Sequence, residues 1–214
     1  MSDLPLALPP ESASTLLDAL DQEHKIDRAL EALGPIAERD VVVVGGGPDE
    51  LARDAAAGVR LRTIETSAGT WPLPDAAADA IVSIWSGFRG ADPAEVAEAD
   101  RVLRPGGRLL VVHDYGRDDV SRLRGDLPEY GAWTHRDGPF LRQGFRIRVI
   151  HCFWTFPTLE AASDFLARAF GERGAAAGAA LKRPRLSYNV AVYHRTRGDE
   201  LAGAARGGAS VGAG

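Results

Sequence analysis

The chain has 214 residues, 45% of them hydrophobic and 26% charged, with a net charge of −5, the make-up of a globular chain long enough to bury one sizeable core. Its apolar runs, such as Val41 to Val44 and Leu109 to Val112, cover only a few residues and exclude a membrane helix of about 20. The single cysteine, Cys152, excludes an internal disulfide framework and a multi-cysteine zinc site.

The opening MSDLPLALPPES has no basic start followed by an apolar region, so no secretory signal is expected and a cytoplasmic location is. Residues 1–10, with three prolines, read as a flexible arm; 11–197 read as one domain; 198–214 read as a disordered Gly/Ala-rich tail. From Ser12 an apolar stripe at Leu16, Leu20, Ile26, Leu30 and Leu33 predicts a helix closed by Gly34-Pro35. Val41 to Val44, a β-branched run followed by three glycines, predicts a central strand buried on both faces. Pro48 fits the first position of a following helix, with Asp49 and Glu50 in its first turn. Further strands are expected at Val59 to Ile64, Ala80 to Ile84 and Arg108 to His113, with a helix over Pro93 to Leu103. Phe145 to Phe153 and Ser187 to His194 read as strands around a helix opened by Thr158 and ended by Gly171, with Gly174 to Ala180 open between helix and loop. Strands alternating with helices imply α/β architecture: a doubly wound, mostly parallel sheet in three layers.

Gly45-Gly46-Gly47 after a strand lets a ligand approach the backbone, and Glu65, 20 positions after Gly45, suits ribose hydroxyls. Glu50 stands where a dinucleotide site has its third glycine, and two acids in the helix's first turn disfavour a pyrophosphate. The bland reading is a tight turn with a surface acid.

Further along come Trp71-Pro72-Leu73-Pro74, Asp79 opening a strand, and Arg101-Val102-Leu103-Arg104-Pro105-Gly106-Gly107 before the next. With these the chain resembles the class I S-adenosylmethionine-dependent methyltransferases of the type 11 branch, most strongly over Ile36 to Asp114. The resemblance implies a Rossmann-like sheet of seven strands, the last antiparallel, with S-adenosylmethionine bound beyond the carboxyl ends of the first strands. It implies Gly45 and Gly47 beside the methionine part, with Asp49, at the family's third glycine, counted among the cofactor-binding residues, Glu65 on the ribose, Trp71 near the adenine, and Ser83 to Ser86, Trp85 included, facing donor and acceptor. Gly47 to Asp79 is too short for the two strand-helix units expected there, so one unit is predicted to be missing. If Val59 to Ile64 is the family's second strand, Glu65 is the ribose acid; if it is the third, no ribose acid remains.

Methyl transfer from a sulfonium depends mainly on alignment. Where the acceptor needs a base, His113, Asp114 and Tyr115 are the candidates, with His113 and Tyr115 named as catalytic. His151 and Cys152 read as packing. The five histidines lack close ligand spacing and no metal is expected. Residues 142–197 hold ten basic and three acidic residues; this segment reads as a solvated face, without nucleic-acid or membrane partners, and self-association is left open. The leading expectation is methyl transfer to a small-molecule acceptor. The rivals are a non-catalytic binding or scaffold protein that has lost the cofactor site, and a nicotinamide-dependent reductase based on Gly45 to Glu65 alone.

Overall fold

A computed structural model describes residues 15–16, 18–45, 59–65, 67–125 and 128–198. Six strands form one sheet: β1 (Asp40–Val44), β2 (Arg60–Ile64), β3 (Ala78–Ile84), β4 (Leu103–Asp114), β5 (Arg146–Thr155) and β6 (Arg185–Thr196). Their order is β2-β1-β3-β4-β6-β5, with β2, β1, β3 and β4 parallel and β6 antiparallel to both β4 and β5. The helices are α1 (Lys25–Leu33), α2 (Pro93–Val102), α3 (Asp119–Arg124), α4 (Pro128–Trp133), α5 (Pro139–Arg142) and α6 (Leu159–Ala180).

The central position of β1 follows from its four valines, all buried, which give each sheet face an apolar row. Val41 and Val43 join Leu30, Trp154, Phe165 and Tyr188 under α1 and α6; Val42 and Val44 join Val96, Val102, Trp133 and Phe140 under α2, α4 and α5. These two cores make three layers. The chain goes from β1 outward to β2, then returns across β1 to β3, so the direction of winding reverses between β1 and β3. Beyond the carboxyl ends of those strands lies the crevice in which α/β sheets bind ligands.

β2 pairs directly with β1, so it takes the second-strand place, and among the described residues no strand lies beyond it. The sheet has six strands rather than the seven that the resemblance implies, the deficit falling where the short span from Gly47 to Asp79 puts it. Three local expectations change. The N-terminal helix is broken: Asp21 and His24 take left-handed conformations, Asp21 N donates to Phe153 O, and the Asp21 carboxylate accepts from Ile26 N at 2.7 Å, restarting the helix as α1. Strand β4 begins at Leu103 and its pairing with β3 shifts over Arg104 to Gly107. Gly171 kinks α6 instead of ending it, because only glycine adopts its φ of 59° with ψ of −139° readily, and the helix continues through Ala180. The helix expected at Pro48 lies outside the described residues.

Candidate cofactor and acceptor site

Gly45 ends β1 with φ of 82°, and its N–H donates to Ile64 O at 2.7 Å, which brings the ends of β1 and β2 level. Glu65 follows immediately, exposed. Gly47 and Asp49 lie outside the described residues.

Across the crevice from Gly45 stands the loop leaving β3. The Ser86 hydroxyl donates to Val44 O at 2.5 Å and lies 3.0 Å from Ser83 Oγ, which accepts from Gly87 N at 3.0 Å. A Cβ on Gly45 would collide with the Ser86 side chain, so the glycine permits this close approach as well as its own backbone conformation. Ser83 is fully buried. Trp71 is buried too: it meets Phe88 edge-on, and its indole N–H donates to Ser67 O. Ser67 in turn donates to Glu95 Oε1 at 2.6 Å.

The β3 exit is conformationally unusual. Trp85, Phe88 and Ala91 all have φ near 50–60°, a region that costs a non-glycine residue on the order of 1–3 kcal/mol. What holds Trp85 there is Asp114, at the end of β4, whose Oδ1 accepts from Trp85 Nε1 at 3.0 Å and from the Tyr188 hydroxyl, while Oδ2 takes Arg124. Both Asp114 and the Arg124 side chain are buried. Burial opposes the Arg124 charge, but Asp114, Tyr188 and Tyr130 outweigh it and raise its pKa. Burial, followed by the Asp114 charge, raises the Tyr130 phenol, so it is protonated at neutral pH. Asp118 caps α3 through Ser121 N at 2.7 Å and also accepts from Asn189 N; burial pushes its carboxyl up.

His113 is 1% exposed, places Nε2 3.0 Å from Gly87 O, and packs its ring against Trp133 and Phe140. Tyr115, the residue after Asp114, is half-buried, under the Arg117 guanidinium. Helix α3 packs on β6 and α6, whereas α4 and α5 lie on the other face of the sheet and are tied to the β3 loop by Arg89 with Glu129 and by Gln143 Nε2 with Ala91 O. The structure thus gathers Gly45, Ser83, Trp85, His113 and Tyr115 around the carboxyl ends of β1, β3 and β4, leaves Glu65 open at the end of β2, and packs Trp71 inside. Sequence reasoning included Ser86 in its stretch Ser83 to Ser86 but missed the part that Arg124, Tyr130 and Tyr188 play around Asp114, to which only the folded chain connects them.

The reversal between β1 and β3 is the place where doubly wound α/β sheets bind ligands, and Gly45 and the exposed Glu65 follow the strands β1 and β2 beside it. Residues 28–111, which span β1 to β4 apart from its carboxyl end, match the family model described as a methyltransferase domain, Methyltransf_11. The match covers 84 of the 214 residues, and the six-stranded sheet around it is a Rossmann-like α/β fold. Similar solved structures include the YcgJ protein of Bacillus subtilis, 16% identical over 82% of this chain and 99% of that one, with a TM-score of 0.45. Another is a SAM-dependent methyltransferase from Aquifex aeolicus, 15% identical over 86% of this chain and 97% of that one, also at 0.45. No curated protein matches. In chemistry the described residues suit the nucleoside end of S-adenosylmethionine: the exposed Glu65 carboxylate, free of ion pairs to described residues, can accept from ribose hydroxyls, and Gly45 beside it has no side chain.

Proposed function

We propose that this protein transfers the methyl group of S-adenosylmethionine to a small-molecule acceptor brought to the carboxyl ends of β3 and β4. The observation that carries the reading is the coincidence of the methyltransferase-domain match with the strands whose ends bear Gly45 and Glu65. Bound S-adenosylmethionine supplies an activated methyl on sulfur. The chain's part is to position and to exclude water. Glu65 would accept the ribose hydroxyls, and Gly45 would let the cofactor lie on the backbone. Loop 85–91, fixed through Asp114, would form the wall towards the acceptor. Of the two catalytic candidates, His113 is sealed against Gly87 and the surrounding rings, whereas Tyr115 has the exposure to meet an acceptor's leaving proton.

Calorimetric titration of the full chain with S-adenosylmethionine, and separately with its demethylated product, tests this. Saturable binding of both is expected. No heat at millimolar ligand would overturn the proposal and favour the scaffold alternative.

A further inference from the structure

At the opposite end of the sheet, the amino end of β4 adjoins the carboxyl end of β6 and the start of β5. Arg108 pairs in register with Thr196, and Arg146 with His194. Side-chain alternation puts Arg108, His194, Arg146 and Arg148 on one face of three adjacent strands, the face that carries Leu110, Val192 and Ile150 farther along. From Arg108 a groove of about 190 Å³ continues past Arg104 to Arg39, with Asp79, Pro35 and Gly106 also lining it.

These cations are unevenly neutralised. Arg104 is taken by Asp40 at 2.8 Å and Asp79 at 2.9 Å. Arg108 bonds the Thr196 hydroxyl, not an acid. Arg39, Arg146 and Arg148 make no ion pair with a described carboxylate, and Arg146 and Arg148 are exposed. His194 senses the result: burial first, then Arg146, Arg108 and Arg148, lower its pKa. Like charges collected on one face without counter-charge destabilise the folded chain unless an anion supplies it.

We propose that this corner, from Arg108 to Arg146 and Arg148, is a binding site for a small polyphosphate anion of di- or triphosphate size. Strands lie about 4.8 Å apart and rise about 3.4 Å per residue, so Arg108 and Arg146, two strands apart and offset by two residues, fan their guanidiniums from backbones about 12 Å apart. That span suits two or three linked phosphates, and guanidinium forks match phosphate oxygens in bidentate fashion. A nucleic-acid strand would also want rings to stack its bases on. The neighbouring Phe145 and Tyr193 are instead buried in the core on the other face, and the His194 ring on this face is itself half-buried.

The test is calorimetric titration of the full chain with inorganic triphosphate at low salt. Saturable binding is expected, weakened at least tenfold in an Arg146→Gln/Arg148→Gln double variant and unchanged in Arg136→Gln, an exposed arginine beyond α4. Cofactor titration of the double variant should match the parent and shows that it is folded. Absence of saturable heat, or equal binding by the double variant, overturns the site. Tighter binding of a uridine decamer than of triphosphate, lost in the same variant, overturns the small-anion assignment in favour of nucleic acid.

Discussion

The two ends of the sheet use the same chemistry, carboxylate against guanidinium, in opposite settings. At the carboxyl end, Asp114 is buried and meets Arg124, Tyr188 and Trp85 together. At the amino end, Asp40 and Asp79 hold Arg60 and Arg104 with the arginines 63% and 40% exposed. A buried pair acts with high leverage, because losing one partner strands a charge in low dielectric; a wet pair contributes little, because water replaces either partner. Left-handed Trp85, Phe88 and Ala91 lie at the buried end, but left-handed Glu38 and Ala76 precede β1 and β3 at the wet end, so what separates the two ends is the burial of their charges and not backbone strain. The wet end, in turn, can tolerate cations without partners.

The largest expected effect tests that leverage. Asp114→Ala leaves Arg124 charged and buried, with two further donors unsatisfied, and should lower unfolding free energy by about 3–5 kcal/mol in urea denaturation. A loss below about 1 kcal/mol would erase the distinction between the ends. Next comes Gly45→Ala. An L residue in the left-handed conformation costs about 1–2 kcal/mol, and the new Cβ also drives Ser86 from Val44 O. A loss of about 2 kcal/mol is expected, together with weaker cofactor binding; the same titration and denaturation measure both.

The contrast also separates what the sequence discloses from what it conceals. Val41 to Val44 and Arg101 to Gly107 are contiguous signals, a β-branched run before glycines and a turn motif, and they place β1, β3 and β4. The missing unit follows from length alone, since the span between Gly47 and Asp79 cannot hold two crossovers. Helices α3, α4 and α5 escape because four to six residues are too few to show a period. The break at Asp21 depends on Phe153 O, supplied from β5. Asp114 is visible as a candidate base, but its partners stand 10, 29 and 74 positions away, so its saturation by donors emerges only on folding.

A smaller effect concerns the open side of the crevice. Glu65 is exposed and bears no structural bond comparable to those of Asp114, so Glu65→Gln should change stability by less than about 0.5 kcal/mol. Its loss to cofactor affinity should be about tenfold, or about 1.4 kcal/mol, read by calorimetry. A stability loss with unchanged affinity would move Glu65 from the ligand's side of the comparison to the scaffold's.

The smallest effect belongs to the wet end and appears only in acid. Hydrogen bonds from Arg60 and then Arg104 lower the Asp40 pKa from 3.8 to about 2. A carboxyl depressed on folding contributes stability that is full above its unfolded pKa and lost as pH falls through the folded value. The loss therefore runs from about pH 4 down to about pH 2. Because both arginines are well exposed, it should stay under about 1 kcal/mol. Asp40→Asn should flatten that part of the curve in denaturation at stepped pH, leaving a residual slope from Asp79, whose carboxyl is also lowered. A loss of several kcal/mol in this window, abolished by Asp40→Asn, would mean that the amino-end network is as tightly coupled to the fold as the buried one around Asp114.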